Sequence, residues 1–253
     1  MALDDKARRD FLRISVTIGA GLVLSSCSSD NKEPSNPQEK KDEASKKDGD
    51  KKEAEVTATE DLMREHGILR RSLLVYSAVA TKLRNKPTDI PPDVLLKTTK
   101  LFRAFGEDYH EKKLEETYIF PNVKKAGGVA ANYIDVLLAQ HQRSREITDY
   151  ILALAQSNKL GASNAEILAK TLDAFVLMYE HHTAREDTII FPAWKQTLTA
   201  KQLDEMGEKF EDIEHEQFGK DGFDDALDQI TDIEKIVGLS DISQFTAPPP
   251  PKI

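Results

Sequence analysis

The residues of this chain able to hold a metal come in two matching sets. Glu115-Glu116-Thr117-Tyr118-Ile119-Phe120-Pro121 returns 71 positions later as Glu186-Asp187-Thr188-Ile189-Ile190-Phe191-Pro192. Glu65-His66 is likewise echoed by Gln140-His141, each pair ahead of a basic stretch. His182 and Glu186 are four residues apart, which sets the two side chains about 40° apart on adjacent helical turns, within reach of one ion. Buried imidazoles and carboxylates are costly unless paired or metal-bound. Their mixture suits iron, manganese or zinc better than calcium or magnesium.

The helices that must carry these groups are legible from apolar spacing. In the first, Leu62, His66, Leu69, Leu73, Tyr76, Ala80 and Leu83 step by four and three, so His66 lies within the core stripe. In the fourth, Leu168, Leu172, Phe175, Tyr179, His182, Glu186 and Ile189 form the same kind of stripe. The third places His141 after Ile134 and Leu138.

Helix two leaves two readings open. On a regular helix Glu111 and Glu115 form the pair one turn apart, while His110 and Glu115 diverge by about 140°. A one-residue π insertion, a feature common at functional sites, would bring His110 and Glu115 together instead. The stripes Phe102, Gly106, His110 and Glu115, Ile119 are out of phase, which favours the insertion.

Punctuation bounds four long helices at about 59–84, 93–121, 129–157 and 163–191, with Pro91-Pro92-Asp93, Gly127-Gly128 and a capping-box spacing at Ser163–Glu166 between them. Short connections favour antiparallel neighbours. The expected fold is all-α: an up-down-up-down four-helix bundle over 59–198, followed at 199–253 by two shorter helices and a Pro-rich tail. Duplication of a helix pair gives the bundle a pseudo-two-fold axis, so each inner-face group meets its copy.

From Leu62 to Pro192 the chain resembles the hemerythrin-like, HHE cation-binding family. The family's pattern is a lone helix-one histidine, then His-x-x-x-Glu running into Phe-Pro, then both again; helix two departs from it, with Glu111 at the expected histidine position and His110 one residue earlier. The resemblance implies a four-helix bundle with a non-haem di-iron site that binds oxygen, or senses oxygen, nitric oxide or iron. Carried over by resemblance, His66, His141, His182 and Glu186 are ligands; helix two adds His110 with Glu115, or Glu111 with Glu115 if it is regular. The family often uses five histidines. His181, one residue off the helix-four stripe, and His215, in Glu214-His215-Glu216, are the remaining candidates; a surface role is the plainer reading of each.

The first 27 residues read as an address. Arg8-Arg9-Asp10-Phe11-Leu12-Arg13 precedes an apolar run from Ile14 to Leu24, which rises only about 16 Å as a helix and is too short to span a bilayer. The string is similar to twin-arginine export signals. Leu24-Ser25-Ser26-Cys27 resembles a lipoprotein processing box, making Cys27 the expected lipidation site. It is the only cysteine, so no internal disulfide can form. Residues 28–58, rich in Lys, Glu, Asp and Ser, read as a disordered tether. An exported, membrane-anchored lipoprotein is therefore expected, on the periplasmic or outer side of the envelope.

The net charge of −9 argues against a nucleic-acid partner. No nucleophile with a partner base and no phosphate-cradling loop is evident. The expected function is binding or sensing of oxygen, or a related diatomic, at two non-haem irons, with manganese or zinc as lesser alternatives. An oxidoreductase acting on peroxide or nitric oxide, and a metal-storage or scaffolding lipoprotein, are the rival expectations.

Overall fold

The computed structural model describes residues 56–87, 90–91, 93–156 and 162–251. The expected signal, Cys27 and nearly all of the tether lie outside these residues. Helix α1 spans Ala58–Asn85. It starts one residue before the expected Thr59, taking in Ala58 from the end of the expected tether, because Thr57 caps it: the Thr57 amide donates to Glu60 Oε2 at 2.8 Å and the Thr57 hydroxyl accepts from the Glu60 amide. The stripe Leu62 to Leu83 is buried throughout, His66 included.

Helix α2 has three parts: an α-helical start at Val94–Leu101, a π-helical stretch at Phe102–Ile119, and a return to α at Phe120–Ala126. It stops at Gly127, whose φ of 77° favours a residue without a Cβ. Val129, expected to open helix three, instead sits in a single turn at Gly128–Ala131. Helix α3 runs Ile134–Gln156 and buries Ile134, Leu137, His141, Ser144, Thr148 and Ile151; Leu137 replaces the expected Leu138 in the core line.

Helix α4 runs Ala162–Arg185, continues through a π-helical turn at Glu186–Ile190, and ends as Phe191–Gln196. That turn shifts the core line by one residue, so Ile190 is fully buried while the expected Ile189 is only partly so. Both Phe-Pro segments thus leave the bundle through a π stretch. α1 lies along α4, α2 along α3, and the remaining neighbours close the four-helix bundle.

Two further helices pack outside it. α5, Ala200–Phe218, is capped by Thr199, and α6, Gly222–Val237, by Asp221. α6 lies on α1 and the start of α2. Arg71 of α1 holds Glu234 through Nε at 2.9 Å and Nη2 at 2.5 Å, and Arg64 sits 4.3 Å above the Phe223 ring. Phe218, at the end of α5, meets the edge of Tyr109 in α2 at 5.4 Å. Among the described residues no helix is long and apolar enough to cross a membrane.

Candidate metal centre

Each bundle helix sends at least one metal-binding group to the same interior level: His66 from α1, His110 and Glu115 from α2, His141 from α3, His182 and Glu186 from α4. All six are at most 2 % exposed. The π-helical path of α2 turns Glu115 onto the same side as His110, five residues earlier, and leaves Glu115 Oε1 3.5 Å from His110 Nε2. In α4 the same convergence needs only four residues, with His182 Nε2 3.0 Å from Glu186 Oε1.

The imidazoles face one another in pairs across the glutamates. His66 Nε2 and His110 Nε2 are 3.0 Å apart, and His141 Nε2 and His182 Nε2 3.1 Å apart. Glu115 lends Oε1 to the first pair and Oε2 to the second, 3.3 Å from His141 Nε2. Glu186 does the converse, with Oε2 3.5 Å from His66 Nε2 and Oε1 toward His182. The result is two subsites, each with two imidazoles and one oxygen from each of two shared carboxylates.

The Nδ1 atoms fix the tautomers. His66 Nδ1 is 2.7 Å from Asp187 Oδ1, His110 Nδ1 2.6 Å from Glu65 Oε2, His141 Nδ1 2.9 Å from Glu116 Oε1, and His182 Nδ1 2.9 Å from Gln140 Oε1. Every one of these partners is an oxygen that only accepts, so Nδ1 carries the proton and Nε2 presents its lone pair. Four lone pairs then point inward beside four carboxylate oxygens that are buried and accept no hydrogen bond from the described residues. Such a set repels itself unless a cation fills it.

In the metal-free chain protons would have to substitute. Burial opposes a charge on His110 and His141, yet the surrounding carboxylates overcome it and raise both well above the ordinary imidazole range. Burial also opposes ionisation of Glu115, and His110 and His141 outweigh it, holding that carboxyl well below its usual range. The donor set fits two cations.

Outer contacts hold the rings in place. Arg70 pairs with Asp187, and Arg145 with Glu116 at 2.5 Å. Tyr109 donates to Glu65 Oε1 at 3.1 Å. Phe191 stacks on His66 and Phe120 on His141, each at 5.3 Å, so the two Phe-Pro motifs cover one ring apiece.

The remaining candidates are placed elsewhere. Glu111 is buried but receives the Tyr179 hydroxyl and Arg145 Nη2, the latter at 3.1 Å, and faces neither subsite. Its grouping with Glu116 and His141 is filled by the Arg145 guanidinium. The π path explains this, since it turns Glu115 rather than Glu111 inward. His181 is exposed beside Arg185. His215 is exposed on α5, its Nδ1 3.0 Å from the Glu211 carbonyl. Neither supplies a fifth imidazole.

The sequence reading gave no role to Glu65, Glu116, Gln140 and Asp187. Their signal was adjacency: each sits beside a histidine or glutamate of the repeated motifs, at the same place in both halves.

Residues 57–194 and 132–237 match the Hemerythrin HHE cation binding domain family. With the bundle and its His/Glu cluster, this shows that the chain belongs to that family of cation-binding, all-α proteins. It is 39 % identical over 240 residues to an uncharacterized protein of Mycobacterium bovis, with 94 % of this chain and 90 % of the relative covered. Uncharacterized proteins of two Mycobacterium tuberculosis strains match to the same extent. No solved structure matches the chain.

Proposed function

We propose that this protein is a non-haem di-iron protein that binds or senses oxygen, or a related diatomic molecule, outside the cytoplasm. The carrying observation is the pair of facing imidazole couples, 3.0 and 3.1 Å apart at Nε2, around two glutamates whose oxygens accept no hydrogen bond from the described residues. His66 and His110 would hold one ion and His141 and His182 the other, with Glu115 and Glu186 shared. Nitrogen and oxygen donors in this ratio suit iron, with manganese or zinc next.

Bound iron would supply Lewis acidity and one-electron redox chemistry. The chain's own part is to exclude water through Phe120 and Phe191 and to fix each Nδ1 proton on an acceptor. With no fifth imidazole, both subsites offer four protein donors, which leaves room for a small ligand at either ion. That equality supports a second reading, an oxidoreductase that reduces peroxide or nitric oxide across both metals.

The proposed location rests on the Arg8-Arg9 string and the Leu24–Cys27 box, with lipid on Cys27 as the anchor. A twin-arginine route moves folded chains and would let the bundle load metal before export.

Iron content and the visible spectrum, with and without oxygen, test the proposal. Two irons per chain and a reversible oxygen-dependent band are expected, with iron lost in His182→Ala and Glu186→Ala variants that remain helical. Rapid consumption of peroxide or nitric oxide would favour the second reading. Unchanged iron stoichiometry in both variants would refute the ligand assignment.

A further inference from the structure

The duplication sets nearly every outer contact of one subsite against an equivalent in the other. Arg70 and Arg145 lie 75 positions apart, as do His66 and His141, and each clamps a carboxylate, Asp187 or Glu116, that accepts from an imidazole Nδ1. One pair breaks the match. Glu65 accepts from His110 Nδ1 at 2.6 Å, whereas its counterpart Gln140 accepts from His182 Nδ1 at 2.9 Å.

The difference is one negative charge. An imidazole whose N–H is held by a carboxylate becomes a more basic donor at its other nitrogen, and the extra charge attracts the ion directly. Glu65 is 1 % exposed and its other oxygen takes a neutral donor, the Tyr109 hydroxyl, so little solvent screens it. On the opposite side the amide of Gln140 gives His182 a fixed orientation without that charge. Glu111, the nearest further acid there, acts on His141 from 3.9 Å, but its oxygens are taken by Arg145 and the Tyr179 hydroxyl and it accepts nothing from His182 Nδ1, so it does not replace the missing acceptor.

We infer that the two metal subsites are unequal: the His66/His110 subsite fills first and holds its ion more tightly, with Glu65 and Gln140 setting the difference. The inference rests on the dimetal reading above. Outer partners of metal-bound histidines change affinity by roughly 10- to 100-fold, and a gap of that size is expected.

The test is anaerobic titration of chelator-treated full chain with Co(II), followed by its visible bands and by calorimetry. Two binding steps are expected, separated by about 10- to 100-fold. Gln140→Glu should tighten the weaker step and narrow the gap, while Glu65→Gln should weaken the tighter step. His66→Ala should abolish the tighter step and His182→Ala the weaker one. Two steps of equal affinity in the native chain, or a gap unmoved by Gln140→Glu in a folded variant, would overturn the inequality. Absence of any Co(II) binding would instead overturn the dimetal reading itself, and the inequality with it.

Discussion

His110 and Glu115 are five residues apart on one helix, yet His110 Nε2 and Glu115 Oε1 are 3.5 Å apart and open toward the same interior space. On an α-helix that spacing would leave them about 140° apart. The π-helical course of Phe102–Ile119 brings them together, and it turns Glu111 away to Tyr179 and Arg145.

That relationship separates two neighbouring glutamates by experiment. Glu115→Gln should lose most of the bound metal, because one shared carboxylate then serves neither subsite as an anion. Glu111→Gln should keep the native stoichiometry, measured by elemental analysis on folded, size-selected protein. Equal loss in both would return Glu111 to the site.

Metal removal should lower thermal stability. The emptied site keeps Glu115 and Glu186 buried among imidazoles that must take up protons in place of the ion, a costly arrangement. An ion that binds only the folded chain stabilises it by about 3 kcal/mol at a hundred times its dissociation constant. A scan with and without chelator should therefore show a Tm drop of several degrees, restored by iron. Identical transitions would contradict occupancy of the buried cluster.

Glu107 gives a pH dependence away from the ligands. Burial, reinforced by Glu111, pushes its carboxyl from 4.5 up to about 7, against the pull of Ser144, Thr148 and Arg103. The folded chain therefore keeps a proton that the unfolded chain has released between those values. The contribution of Glu107 to stability falls as pH rises through that window and levels off above it. Glu107→Gln removes this term. Urea unfolding of metal-free protein should show the variant gaining on the native chain from pH 5 to pH 8, by up to about 3 kcal/mol. A constant difference across that range would contradict the shift.

The C-terminal helices should matter to stability without altering metal content. Phe210 of α5 is 3 % exposed and stacks on Trp194 at 5.8 Å, beyond the metal cluster. Phe210→Ala should cost about 3–5 kcal/mol in urea unfolding, with metal stoichiometry unchanged. Loss of metal from the folded variant would give α5 a role in the centre.

Much of the centre was legible because a duplicated pattern fixes register. Steps of four and three placed His66 and His182 on inner faces, and repetition of the Phe-Pro motif put both glutamates at one level. The phase break between Gly106–His110 and Glu115–Ile119 pointed to a π insertion in α2. The matching turn at Glu186–Ile190 left no such trace, since His182-x-x-x-Glu186 already fits a regular helix, and only the shift from Ile189 to Ile190 betrays it.

The sequence by itself determined the all-α bundle, its pseudo-two-fold repeat and five inward donors, His66, Glu115, His141, His182 and Glu186, because helical periodicity and duplication are properties of the chain alone; the choice of His110 over Glu111 came from the π-helical course of α2. Only the tertiary structure decided which oxygen of Glu115 meets which imidazole, that His181 and His215 stay outside, and that Glu65, Gln140, Glu116 and Asp187 hold the rings. Those contacts join different helices, and their distances depend on how the helices pack rather than on the spacing along any one of them.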